Sequence, residues 1–293
     1  MALIRLQRPM NAGPARLVLG SALGAVLVTA VANGAGAASK LIDTPQFTIR
    51  YEGISDKQAK AFAAKTKRAL ADVTGYFGSA IARKFSVVIN DRSDQVGIIR
   101  AEWQITIPAD RIRGDAGGPP PIRGRGPAIV HDITDLLFPS QNKVFGPLLT
   151  IGLGVYLQEK FGGRDRVYPN MGKDLHDEAV RLSINYQKMI AVKNLEAVRT
   201  RRGVGRPRRV AMTLEGSFVR YLIESSGKTK FLKLYRGEPI STIYGKAERL
   251  CSLEERWVRY LAESHPGLQS KDHAKLVAAP APLKLAIRRD PCP

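Results

Sequence analysis

The residues of this chain whose types and spacing could do chemistry gather at one point, His131-Asp132-Ile133-Thr134-Asp135. One helical turn there would carry an imidazole and two carboxylates. Residues i and i+4 share a helix face, so His131 and Asp135 would project together. In one reading His131, Asp132 and Asp135 form a small site that holds a cation such as calcium, or works as an acid–base pair. In the other, His131 and Asp135 hydrogen-bond to one another in a closed cleft and do no chemistry. His176, in Asp174-Leu175-His176-Asp177-Glu178, can supply an extra ligand; the plainer reading of that cluster is a solvated helix start. His265 and His273 lie near or in the tail and add nothing.

A second chemistry is carried by arginine. Residues 199–209 (RTRRGVGRPRR) supply Arg199, Arg201, Arg202, Arg206, Arg208 and Arg209. Guanidinium forks suit phosphate and carboxylate, so these six are candidate anion binders. The Gly and Pro among them are expected to keep the stretch from forming a regular helix. Arg111, Arg113, Arg123 and Arg125 form another basic loop just before His131. The alternative for both loops is a solvated, ligand-free surface. No aromatic residue interleaves with the arginines, which argues against nucleic acid as a partner.

The elements that must position these groups follow from periodicity. Gln46–Tyr51 alternates as a half-buried strand, and Ser55 is placed as the N-cap of a helix over Asp56–Phe77. Phe85–Asn90 reads as a buried strand. Gly97–Ile107 alternates again and ends at Pro108, as an edge strand does. A Gly/Pro/Arg-rich loop over 110–127 then leads into helices over Ala128–Phe138 and Pro147–Phe161. Helical patterns continue over Lys173–Ile190, Met212–Ser225, Thr229–Leu234 and Leu253–Glu263. Strands first and helices later make the class α+β.

Composition bounds the setting. The chain has 293 residues, and its 46 Lys and Arg against 26 Asp and Glu leave a net charge of +20. That excess draws polyanions but says nothing of the fold. Arg5, Arg8 and Arg16 precede an uncharged stretch from Leu17 to Ala38, where Ala35-Gly36-Ala37 offers a small-x-small cleavage pattern. Residues 1–38 are therefore expected to be a signal peptide, with periplasmic or secreted localisation; the alternative is an uncleaved anchor in the inner membrane. Residues 265–293 read as a flexible Ala/Pro/Lys-rich tail. Cys251 and Cys292 can pair and tie that tail to the last helix, or stay free.

Four segments, in order, resemble the gluzincin (peptidase MA-like, zincin clan) family over roughly residues 44–264. His131–Asp135 has the spacing of His-Glu-x-x-His. Leu148-Leu149-Thr150-Ile151-Gly152-Leu153-Gly154-Val155-Tyr156 is similar to Trp-Leu-Ser-Glu-Gly-Leu-Ala-x-Tyr. Gly216-Ser217-Phe218-Val219-Arg220-Tyr221-Leu222 resembles the family's Gly-Ser-Phe-x-x-Tyr-Leu helix, and Trp257 with Tyr260-Leu261 resembles its last one. The resemblance implies a zincin-like sheet-plus-helix lobe followed by a helical lobe. It implies a zinc ion held by the positions of His131, Asp135 and Ile151, with Asp132 standing where the catalytic glutamate would be.

The departures undercut that zinc site. A catalytic zinc needs three protein ligands and an open position, and Ile151 cannot coordinate a metal. Asp132 is a methylene shorter than glutamate and sits poorly to activate bound water. The expectation is thus a degenerate peptidase with no cofactor: an exported pseudopeptidase. Its cleft and basic loops would bind a peptide or protein, or an anionic envelope polymer or lipid. By resemblance, Trp103, Gln104 and Ile105 would lie on the strand that pairs with an extended peptide. The alternative is an atypical metal-dependent hydrolase using His131, Asp132 and Asp135.

Overall fold

The computed structural model describes residues 27–31, 39–92, 96–113, 127–162, 169–170, 172–185, 192–200 and 206–264. The expected flexible tail, most of the expected signal peptide, His265, His273, Arg123, Arg125, Arg201 and Arg202 lie outside them. The architecture is α+β. Strands β1 (Leu27–Val31), β2 (Ser39–Asp43), β3 (Phe47–Tyr51), β4 (Phe85–Asn90), β5 (Gly97–Ile99) and β6 (Gln104–Pro108) make one mixed sheet in the order β1-β2-β3-β4-β6-β5. The three central strands β3, β4 and β6 are parallel; β1, β2 and β5 run antiparallel to their neighbours. β1 falls within the segment expected to be removed on export.

Between β3 and β4 runs α1 (Asp56–Phe77), the crossover that parallel pairing requires. Its start is fixed locally. The Ser55 hydroxyl accepts from the Gln58 backbone N–H, while the Gln58 side chain accepts from the Ser55 N–H, a capping box. Its end is fixed by Gly78, whose φ of 66° is open to glycine at no cost.

The stretch expected to be one strand over Gly97–Ile107 is instead a hairpin. Arg100–Glu102 make a 3₁₀ turn and Trp103 takes φ 54°, folding β5 back on β6. Two corrections follow. Trp103 lies in the turn, not on a strand. Gln104 and Ile105 belong to β6, which is hydrogen-bonded on both sides, by β4 and by β5, so they cannot pair with an added peptide. The sheet edge on this side is β5.

The helices after the sheet are α2 (Ala109–Arg113), α3 (Ile129–Leu137), α4 (Gly146–Phe161), α5 (Leu175–Asn185), α6 (Leu195–Thr200), α7 (Arg206–Ser226), α8 (Lys228–Tyr235), α9 (Ile240–Tyr244) and α10 (Leu250–Ser264). The arginine-rich break is partly helical, contrary to expectation. Arg199 lies in the last turn of α6, and Arg206–Arg209 open α7 with Pro207 in its first turn, where a missing N–H costs nothing. Sheet and helices share one contiguous core, from Ile49 and Val87 through Ile133 and Leu153 to Phe218 and Trp257. Cys251 is disulfide-bonded, and the chain's one other cysteine, Cys292, lies outside the described residues. No described helix is long and apolar enough to cross a membrane.

Candidate functional site

Helix α3 is buried from Ile129 through Leu136, so its polar side chains are enclosed along with its apolar ones. It lies against α1, the sheet edge and α4. Glycine permits the last contact to be close. A Cβ added at Gly154 of α4 would come within 2.8 Å of the His131 ring. The same device joins α4 to α7: a Cβ at Gly152 would meet the Glu215 carbonyl oxygen at 2.5 Å, and one at Gly216 would meet Val155 at 2.5 Å. The three small residues let the three helices approach at backbone distance.

His131 and Asp135 do not bond to one another, as the inert reading had them. His131 Nδ1 lies 3.1 Å from Asp132 Oδ1, and Asp135 instead forms an ion pair with Arg100 from the β5–β6 turn. Burial opposes charge on His131, but the Asp132 carboxylate beside it, with Asp135 beyond, outweighs this. The imidazole pKa is raised above its ordinary value even though Arg208 pulls it down. His131 Nε2 and Asp132 Oδ2 are buried without a hydrogen-bond partner.

A second buried charge lies next to this pair. Glu215 of α7 is fully enclosed and its Oε1 accepts from Arg199 Nε at 3.1 Å. Burial pushes its pKa up to about 7, against the pull of Arg199 and of His131. Glu215 was missed in the sequence. Its signal was there: it is the one acidic residue in the apolar run Val210–Ile223. Arg100, by contrast, carries no local mark of its role.

The residues do not fit a zinc ion. One imidazole is present, Asp135 is held by Arg100, and Ile151 packs among Val155, Leu175 and Met212. Among the described residues no three His, Cys, Asp or Glu side chains are arranged to hold a metal.

The remaining candidates are dispersed. Arg199 is spent on Glu215. Arg209 pairs with the buried Glu178 and donates to the Pro169 carbonyl at 3.0 Å, so neither of these two candidate anion binders faces outward free. Arg208 is exposed. Arg113 pairs with Asp91. His176 is not at a solvated helix start but fully buried. Its Nδ1 lies 2.7 Å from Ser217 Oγ, which also accepts from Trp257 Nε1 at 3.1 Å, and its Nε2 lies 3.3 Å from Glu224. The series Ser217–His176–Glu224 has the residue types of a hydrolytic triad. With Ser217, His176 and Trp257 all at 0% exposure, it is a tie between α5, α7 and α10.

A search of protein-family models and of curated proteins finds no match to this chain.

Proposed function

We propose that this protein is an exported pseudopeptidase: a gluzincin-like, zincin-type scaffold that acts by binding and not by hydrolysis. What carries the reading is the way the three positions that a zinc would need are spent. His131 is turned to Asp132 and covered by Gly154, Asp135 is neutralised by Arg100, and position 151 is aliphatic. An ion pair and an apolar side chain in place of ligands leave no charge for a divalent cation to complete.

The zincin-type arrangement is supported by a parallel core of strands with a short antiparallel edge lying against the helix of His131. That edge, β5, is the strand left to pair with a partner, and Ile99 at its end is 40% exposed. The natural ligand of such an edge on a chain of charge +20 is an extended acidic peptide segment.

A hydrolase built on His131, Asp132 and Asp135 is the second reading, favoured by the partnerless His131 Nε2 and Asp132 Oδ2. One experiment separates the two. The mature protein is expressed with zinc supplied, and its metal content is measured beside that of His131→Ala. Pseudopeptidase chemistry gives far less than one metal per chain in both, with a wild-type melting temperature that a chelator leaves unchanged. Near-stoichiometric metal that disappears in the variant would sink it and favour the hydrolase.

A further inference from the structure

A cleft among the described residues is lined by α1, α3 and the C-terminal end of α4, and neither Arg100 nor Asp135 belongs to its lining. Its volume is about 450 Å³, within the roughly 300–1,000 Å³ usual for small-molecule sites. His131, Asp132 and Asp135 do not line it. Phe62, Ile112, Ile129 and Phe161 supply an apolar wall. Lys65, Arg68 and Asp72, spaced three and four apart along one face of α1, supply the charge, a balance of one positive.

Gln158 of α4 completes the lining, and its geometry points to an acceptor. It is 4% exposed. Its Oε1 accepts from the backbone N–H groups of Val130 and His131 at 3.0 and 3.2 Å, which fixes which edge of the carboxamide faces α3. The amide edge must then face away, toward Gly162 of the same cleft. A Cβ there would stand 1.9 Å from Nε2, so only glycine leaves the amide this place. Nε2 has no hydrogen-bond partner, and a buried donor left unpaired costs about 1–3 kcal/mol. The start of α3 is already satisfied by Oε1, so the open donor is the side chain's own.

We propose that this cleft binds a small amphiphilic monoanion, a carboxylate on a short apolar body. Its carboxylate accepts from Gln158 Nε2 near Arg68 and Lys65, and its body rests on Phe62, Ile129 and Phe161. The site is separate from the remnant peptidase positions and needs no metal.

The probe is octanoate, titrated calorimetrically into the full chain beside octan-1-ol, octylamine and inorganic phosphate. Octanoate binds tighter than octanol by about tenfold or more, the worth of one charge-assisted hydrogen bond, and octylamine does not bind. Arg68→Ala, a change on the exposed face of α1, lowers octanoate affinity severalfold. Lys65→Ala/Arg68→Ala narrows the preference of octanoate over octanol to the share that Gln158 Nε2 supplies, with an unchanged melting temperature as the control for folding. Gly162→Ala, whose Cβ would meet the Gln158 backbone carbonyl oxygen at 2.3 Å as well as the amide, weakens octanoate while leaving octanol alone, with the melting temperature as the control for the end of α4. The proposal is overturned if octanoate binds no tighter than octanol, or if the double variant keeps the preference at its full wild-type size. Phosphate binding as well as octanoate would overturn the amphiphile class, because the apolar wall would then play no part.

Discussion

Asp132 and Asp135 stand three residues apart on one buried helix, and their partners set the character of the site. Asp132 takes an imidazole from its own helix; Asp135 takes a guanidinium from a turn 35 residues back. Each carboxylate is thereby balanced, at the cost of leaving His131 Nε2 and Asp132 Oδ2 partnerless. Glu215 is the charge least well served. A carboxyl whose folded pKa stands above its unfolded value of 4.5 holds its proton more tightly when folded. Its contribution to stability is full below about pH 4.5 and is lost as pH rises through about 7. Arg199, Glu196 and His131 are the charges that face it. Glu159, raised to about 7 chiefly by burial, acts in the same direction. Glu215→Gln keeps an oxygen to accept from Arg199 Nε but carries no proton equilibrium. Chemical denaturation from pH 5 to 8 should show a shallower loss of stability in the variant than in the wild type, with Glu159 and His131, both raised, supplying the slope that remains and His176, lowered by burial, opposing it. Parallel curves would mean that Glu215 is ionised throughout. His131, Asp132 and Asp135 were legible in the sequence as candidates, but Glu215, Arg100 and the pairing were not. A buried charge is settled by a partner far along the chain, as Ser217 and Glu224 are for His176, and periodicity reports none of that.

At the scale of elements, what could be read was what is fixed locally. The bounds of α1 followed from Ser55 and from the glycine that ends it, and β4 from its apolar run. The hairpin at Arg100–Trp103 escaped because it holds no Gly, Asn or Pro; a tryptophan at φ 54° is a turn residue that no turn signature announces. Trp103 is held there with Arg83 over its ring at 5.6 Å. The contact of α4 with α7 was also invisible, since a glycine inside a helical pattern does not say which neighbour it lets approach. Their value lies in the space they leave. Gly152→Ala puts a methyl against the Glu215 carbonyl, a backbone atom that cannot turn aside. The expected cost is roughly 1–3 kcal/mol, despite alanine's better helix propensity. Urea unfolding measures it, and a neutral or stabilising result would mean that the two helices stand further apart than described.

For the whole molecule, the α+β class and the order of the main elements were carried by the sequence, because alternation gives way to 3.6-residue periodicity at α1, returns at β4, and gives way again before α3. The single core shared by sheet and helices was not, for it depends on contacts between residues far apart in the chain, such as Ser140 Oγ donating at 2.8 Å to the Tyr235 carbonyl 95 residues on. The pairing of β1 with β2, register Leu27↔Asp43 through Val31↔Ser39, has a consequence for amide exchange in deuterated water. β2 is a middle strand only while β1 is present. In a chain that starts at residue 39, every second amide of Ser39–Asp43 loses its carbonyl partner, and those that face β3 keep theirs. Exchange in β2 should then split with a period of two, fast and slow in turn, where the full chain protects the whole strand. Uniform protection in both chains would show that the first strand guards nothing.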